Sequence, residues 1–363
     1  MKKLIIASSL FVLIAGVTGC QKKDGVDQDT SFLSTATVGN TGKVFDITND
    51  NSGKVTIIPT GEGVSSFLVK YGHGTGTAGE ATVKPGYTTS HIYPEGNYTV
   101  TIVSKSLGGQ ETTATFPLQV TYRAPENLVV KTSGETEVTA TATYAKSFMV
   151  YYGDVANETG TPMAIGQTLP AHTYPATGAP FTLKVDALSG GAAKTTFTKT
   201  LFSLPIDFEN ANVNYFFGTF GDNQQFSTVA NPNPSGLNTS AKVGKFTRGV
   251  QAWSGTYSPL DIPINFAYGK KIKVLAYNPD AANIGKQLNV ELEWAIGGTP
   301  ANGVAVLKAP FTTSGAWEEL VFDYRGISGI PAGTKFTQLV LRFNDSSDGA
   351  GAVVYVDNIR LTN

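Results

Sequence analysis

One cysteine, three histidines and three methionines occur among 363 residues, and only 15% of the chain is charged. A single cysteine excludes an internal disulfide framework and every Cys-rich zinc module. Three scattered histidines leave little material for a His-ligated metal or a His-dependent triad. The 27 basic and 28 acidic residues nearly cancel, so the basic footprint that nucleic acid requires is missing, and no nucleic-acid partner is expected. No HExxH, no G-x-S-x-G and no phosphate loop with its lysine occurs in the chain. Helical periodicity of useful length is absent as well. Glycine and proline are abundant, with 40 and 18 copies, as expected of short strands joined by turns. At roughly 100–200 residues per domain, the length allows two or three domains. These absences leave an all-β, multi-domain, weakly charged protein.

The N-terminus reads MKKLIIASSLFVLIAGVTGC. Lys2 and Lys3 precede an apolar run from Leu4 to Val17, which is short for a membrane span and suited to a secretory signal. Val17-Thr18-Gly19-Cys20 resembles a bacterial lipobox, in which the leader 1–19 is removed and Cys20 is lipidated. The only cysteine of the chain falls at the one position this motif requires. Within 20–37, Cys20 is followed by QKKDGVDQDTSF, a polar segment without strand pattern, read as a flexible tether. Its early charges are similar to the export signals of Bacteroidetes surface lipoproteins. The expectation is a lipid-anchored protein of the cell outer membrane, facing the exterior.

The next region repeats itself with an offset of 81. Val69-Lys70-Tyr71-Gly72 matches Val150-Tyr151-Tyr152-Gly153, and His91-Ile92-Tyr93-Pro94 matches His172-Thr173-Tyr174-Pro175. Tyr98, Val100 and Ile102 alternate with polar residues, as do Phe181, Leu183 and Val185, which marks half-buried strands. His91 and His172 occupy the same repeat position and are read as structural corners. The order Tyr-Gly-x-Gly, His-x-Tyr-Pro, Gly-x-Tyr-Thr-Val-Thr resembles PKD domains, which are immunoglobulin-like sandwiches. The resemblance implies one domain over 38–122, a looser copy over 123–204, and a spacer role for both.

From 205 to 363 the composition shifts. Strand-like runs such as 271–277, 287–294, 318–324 and 338–343 lie between Asp207-Phe208-Glu209 and the closing Tyr355-Val356-Asp357-Asn358-Ile359. Many strands with Gly/Pro-rich turns point to a jelly-roll sandwich. The ordered pieces DFEN, Trp253-Ser254-Gly255 and Trp317-Glu318-Glu319-Leu320 are similar to carbohydrate-binding jelly rolls, including modules attached to laminarinase-type β-glucanases. That likeness implies capture of a polysaccharide, with a β-glucan, first β-1,3-glucan (laminarin), as the favoured ligand. It also implies a place beside a porin-type glycan transporter.

Sugar rings stack their C–H faces on aromatic side chains, while amides, carboxylates and guanidinium groups bond the hydroxyls. Trp253 is the first candidate, because alternation sets it beside Gln251 on a polar face and a Ser-Gly turn follows. Gln251, Arg248 and Tyr257, close to it in sequence, are further ligand candidates. Trp294 shares its face with Leu288, Val290 and Leu292, which favours the core, and it is kept as a further ligand candidate. Trp317 is read as structural, and Tyr215, Phe216, Phe217 and Phe220 as mostly core. Glu291 and Glu293 lie two apart on a strand, about 7 Å from each other on one face. Two carboxyls at that spacing suit a glycosidase, but any alternating strand with two acids supplies it. The E-x-D-x-x-E run of laminarinase-type enzymes is absent. No enzymatic activity and no catalytic cofactor are expected. The resemblance also implies a structural Ca²⁺ between the first and last strands, on Asp207, Glu209 and Asp357, with ordinary terminal carboxylates as the alternative. A protein-binding adhesin and a glycoside hydrolase remain the alternatives for the whole chain.

Overall fold

The computed structural model describes residues 31–133, 136–296, 299–300, 305–330 and 333–363. The expected leader 1–19, the expected lipidation site Cys20 and the expected tether as far as residue 30 lie outside the described residues. Among the described residues, no helix is long and apolar enough to cross a membrane. The described residues are all-β and form multiple antiparallel sheets.

Seven strands form the first repeat: β1 (Gly39–Ile47), β2 (Lys54–Glu62), β3 (Val64–Lys70), β4 (Glu80–Val83), β5 (Thr89–Ile92), β6 (Gly96–Ser106) and β7 (Glu111–Val120). Seven form the second: β8 (Glu126–Thr132), β9 (Val138–Thr143), β10 (Ser147–Tyr151), β11 (Thr161–Ala164), β12 (Thr168–Leu169), β13 (Thr182–Leu188) and β14 (Lys194–Thr200). The sheet orders are the same in both. The first has β1-β2-β5 and β4-β3-β6-β7, the second β8-β9-β12 and β11-β10-β13-β14. Val69 pairs with Ile102 and Val150 with Val185, so the sequence repeat is a repeat of register too. All four side chains are fully buried, and each contributes roughly 1.5–3 kcal/mol by leaving water.

The shared Tyr-Gly motif has a backbone reason. Gly72 and Gly153 both have positive φ, 71° and 77°. A Cβ there would stand 2.3 Å from the carbonyl oxygen of Thr99 or Thr182, a distance that glycine alone permits. The preceding tyrosines stack on the repeat histidines, Tyr71 on His91 at 4.4 Å and Tyr152 on His172 at 3.9 Å between centroids. The partner one residue beyond the glycine differs. His91 Nε2 meets His73 Nδ1 at 2.9 Å, whereas His172 Nε2 donates to Asp154 Oδ2 at 2.8 Å. Both histidines are therefore packed corners, as their common spacing predicts.

The C-terminal region holds β15 (Gly218–Phe220), β16 (Gln225–Ala230), β17 (Lys242–Thr247), β18 (Gly255–Asn265), β19 (Lys271–Tyr277), β20 (Gln287–Glu293), β21 (Ala295–Ile296), β22 (Thr299–Pro300), β23 (Ala305–Pro310), β24 (Trp317–Asp323), β25 (Lys335–Phe343) and β26 (Val353–Thr362). Two five-stranded sheets, β15-β18-β25-β20-β23 and β16-β17-β26-β19-β24, enclose one core. Leu288, Val290 and Leu292 meet Leu339, Leu341 and Phe343 in that core with Val274, Phe322 and Val356. Ile206 exchanges backbone hydrogen bonds of 2.9 and 3.0 Å with Ile359, so the opening of the region is tied to its last strand.

Two compact units result. One comprises the described residues through Asp46, with Val55–His91 and Asn97–Leu118; the other takes Ile47–Lys54, Ile92–Gly96 and the described residues from Gln119 onward. Inside the second unit, Asn51 donates to the carbonyls of Arg123 and Tyr144, and Glu95 accepts from the amides of Tyr122 and Ala192. The second repeat and the C-terminal sandwich also belong to this unit. Asp261 accepts from Phe202 N at 2.9 Å and from Lys199 Nζ at 2.5 Å, and Tyr268 donates to the carbonyl of Tyr174 at 3.1 Å. Ile262 packs against the core of the second repeat.

Burial, with His73 facing it, holds His91 below its ordinary value of 6.5. As pH falls through 6.5 the unfolded chain takes up a proton that the folded corner resists, so this corner loses stability on acidification. Replacing His73→Asp copies the second repeat's pair into the first. An NMR titration is expected to show the His91 pKa rising relative to the parent, and an unchanged or lower value would contradict this account.

Candidate functional site

The sheet β15-β18-β25-β20-β23 turns one face to the core, and the other carries the site. Strand alternation sends Gln338, Val340 and Arg342 of β25 outward between core residues, and likewise Asn289, Glu291 and Glu293 of β20. Register aligns these into rows across the sheet. One row runs Phe220, Gly255, Arg342, Asn289, Lys308; a second runs Gly218, Tyr257, Val340, Glu291, Val306; a third runs Pro259, Gln338, Glu293. Glycine at two row positions makes room for flat groups. A Cβ on Gly255 would lie 2.7 Å from the Phe220 ring and 2.8 Å from Arg342 Cγ, and one on Gly218 would lie 2.4 Å from the Tyr257 ring.

Trp253 stands at the Phe220 end of the face. It sits in the turn between β17 and β18, closed by Ser254 N donating to the carbonyl of Gln251 at 3.0 Å. Its ring is 54% exposed and parallel to that of Phe220, with 2° between planes and 6.3 Å between centroids. The Arg342 guanidinium lies 5.6 Å from the Phe220 centroid. Tyr257 is half-buried on the outer face, and exposed Phe216 meets it edge-on at 6.0 Å. Four aromatic rings thus border a polar strip.

The strip is electrostatically tight. Arg342 pairs with Glu291 at 3.0 Å, and Lys308 with Asp345 at 2.7 Å. Burial pushes the Glu291 carboxyl above the ordinary range, with Arg342 opposing and Glu293 reinforcing the shift. Burial raises Glu293 too, against the hydrogen bond from Gln338. Among the described residues, Arg342 Nε and both polar atoms of the Asn289 amide close no hydrogen bond of good geometry; against burial, Lys308 and that amide hold the Asp345 carboxyl below its ordinary range. Buried polar atoms without partners cost about 1–3 kcal/mol each. A hydroxyl-rich ligand on this face is chemically matched to them.

Several sequence expectations are revised by this geometry. Trp253 belongs to a turn rather than an alternating strand, although it is exposed as expected. Gln251 is spent on positioning: its amide bridges Asp222, accepting from Asp222 N and donating to Asp222 Oδ2, both at 2.7 Å. Arg248 is only 4% exposed and is removed from the ligand set. Its guanidinium donates to the carbonyls of Phe343, Asn344, Ser347 and Gly349, so it pins the loop that follows β25. Trp294 packs against the C-terminal core, away from the outer face. Trp317 is buried, as read, and donates to the carbonyl of Asn233 at 2.8 Å. Glu291 and Glu293 do share a face.

The expected calcium trio of Asp207, Glu209 and Asp357 is not formed: among the described residues no group of three or more His, Cys, Asp or Glu is placed to hold a metal ion, although Asp207 lies near enough to Asp357 to act on its carboxyl. Asp357 is buried and accepts from Asn238, Ser240 and the Asn358 amide, and burial holds its carboxyl above the ordinary range despite those donors. Asp207 accepts from the Tyr215 hydroxyl, and Glu209 from Lys242 N.

Sequence reading set Asn289 on the face of Glu291 and Glu293, but left Phe216 and Phe220 mostly in the core and passed over Arg342. The period of two in Phe216-Gly218-Phe220 against Tyr215 and Phe217 was the available signal, since the latter two pack on the core. Alternation in Gln338-Val340-Arg342 was another.

No protein-family model matches the chain. No curated protein matches it either. Solved structures similar to it include a carbohydrate-binding module of the β-sandwich superfamily, at 13% identity and a TM-score of 0.30, over 90% of this chain and 99% of that one. Another is the family 11 carbohydrate-binding module from Clostridium thermocellum in complex with a β-1,3-1,4-mixed-linked tetrasaccharide, at 17% identity and 0.30, over 45% of this chain and 94% of that one. A third is a xylan-binding domain from Paenibacillus barcinonensis, at 18% identity and 0.26, over 44% of this chain and 92% of that one.

Arg248 offers a direct check on the corrected assignment. Replacing Arg248→Met leaves four backbone carbonyls short of their donor and is expected to cost about 3 kcal/mol in denaturant unfolding. A loss under about 0.5 kcal/mol, within the range of an ordinary surface substitution, would show that the buried bonds do not hold the loop.

Proposed function

We propose that this chain is a non-catalytic polysaccharide-binding protein whose ligand lies on the outer face of the C-terminal sheet. The observation that carries the reading is the exposed Trp253 ring, parallel to Phe220 at the end of a strip holding Arg342, Asn289 and Glu291. An aromatic platform supplies apolar area to the C–H faces of a sugar with little entropy to lose. Polar groups beside it then choose the orientation of the hydroxyls. Arg342 and Glu291 neutralise each other, which favours a neutral chain over a polyanion. A β-glucan is the first ligand class, with β-1,3-glucan foremost, on the resemblance to laminarinase-attached modules.

In the same reading Cys20 carries the lipid that anchors the protein at the outer leaflet of the outer membrane. The two repeats act as PKD-like spacers, and a porin-type transporter receives the captured glycan. Each single sugar site is weak, and many anchored copies on one long polymer hold it by avidity. The carboxyls that suggested hydrolysis are engaged, Glu291 by Arg342 and Glu293 by Gln338. That favours recognition over cleavage.

Native affinity electrophoresis of residues 21–363 in gels containing laminarin, barley β-glucan, xylan or mannan tests the proposal. Retardation by one glycan is expected, and Trp253→Ala is expected to weaken it at least tenfold, about 1.4 kcal/mol, without unfolding. No retardation in any gel would overturn the reading in favour of a protein-binding adhesin. Release of reducing sugar by the parent chain, lost in Glu291→Gln, would overturn its non-catalytic part.

A further inference from the structure

Beside the sheet face, and inside the same compact unit, runs a groove of about 670 Å³. One wall is the segment carrying Asn212, Asn214 and Phe216; the other is the outer face of the second repeat, where Thr182 and Thr200 stand opposite each other across β13 and β14 and Thr198 follows. The groove is continuous with the sheet face through Phe216, whose exposed ring lines the groove and also meets Tyr257 edge-on. Pro259, at the head of the third row of the sheet, belongs to both as well.

Its chemistry is that of a neutral sugar site. The charged pair within it, Lys199 and Asp261, is closed on itself at 2.5 Å, so no free charge is offered to a phosphate or a uronate. What is offered is a row of threonine hydroxyls, an aromatic face, and two exposed asparagine amides that close no side-chain hydrogen bond to the described residues. The bonds from Asp261 to Lys199 and Phe202, with Ile262 seated in the core of the second repeat, hold the two walls together. A groove walled by two sandwiches fixed in this way is preorganised, and binding there does not need to order the walls first.

We infer that the second repeat is part of the ligand site: a single neutral glycan chain lies over Trp253, Tyr257 and Phe216 and continues along the groove, where Asn212, Asn214 and Thr198 bond its hydroxyls. The inference rests on the polysaccharide reading and extends it, since it assigns a recognition role to a domain otherwise treated as a spacer. It requires affinity to grow with chain length beyond what the sheet face alone holds.

The test uses the full mature chain, with calorimetric titration by trisaccharides and heptasaccharides prepared from laminarin, barley β-glucan, xylan and mannan. The parent is expected to bind the heptasaccharide of its preferred glycan about tenfold more tightly than the trisaccharide. Two variants address opposite walls: Asn212→Ala with Asn214→Ala on one, and Thr198→Arg, which obstructs the groove from the second repeat, on the other. All three positions are exposed, and circular dichroism checks that the fold is kept. Each variant is expected to remove most of the length-dependent gain while leaving trisaccharide affinity unchanged. Equal affinity for both lengths in the parent, or a full gain retained in Thr198→Arg, would overturn the subsite while leaving the polysaccharide reading intact if Trp253→Ala still abolishes binding. No binding of any oligosaccharide by the parent would overturn that reading and the subsite together.

Discussion

The register of β25 against β20 is the constraint on which the rest of the C-terminal structure depends. Val290 opposite Leu341 and Leu292 opposite Leu339 fill the core, while Asn289 opposite Arg342 and Glu291 opposite Val340 fall on the outer face. A slip of one residue would exchange the faces, driving a carboxylate and a guanidinium into a dry interior. The hydrophobic core therefore selects the register, and the register in turn assembles the polar rows. The site is a by-product of correct core packing, which is why its central groups come from strands rather than loops.

Loops supply what the strands lack, and they are held in place by hydrogen bonds of their own. Trp253 is held on a turn whose neighbours are bound on every side, by Gln251 and Asp222 and by Ala252 N donating to Asp348. Arg248 commits a full charge to backbone carbonyls of the loop 343–349. A buried charge is retained only where hydrogen bonds replace its hydration. The exposure of Trp253 is therefore a property of a braced segment.

The repeats show how one backbone solution tolerates different chemistry. Gly72 and Gly153 answer to the same close carbonyl, and the stacked tyrosine and histidine are retained in both copies. Only the histidine's partner changes, from His73 to Asp154. Steric demands on the main chain leave one residue type, whereas a polar contact at the rim can be met by several.

Much was legible in the residues alone. The all-β class, the duplicated unit and the outward pairing of Glu291 with Glu293 follow from period-2 alternation and an offset of 81, both of which are local. Trp294 was also favoured for the core by its neighbours, and Trp317 by its likeness to similar modules. The roles of Arg248 and Gln251 were not legible, because the partners of Arg248 lie 95 to 101 residues away and that of Gln251 lies 29 away, and nearness to Trp253 in sequence concealed that they serve the fold. Phe220 and Arg342 were likewise separated by more than a hundred residues, and only the pairing of β18 with both β15 and β25 brings them onto one face. Local pattern determines which face a side chain takes; long-range strand pairing determines whose side chains share that face, and a binding site is made of the second.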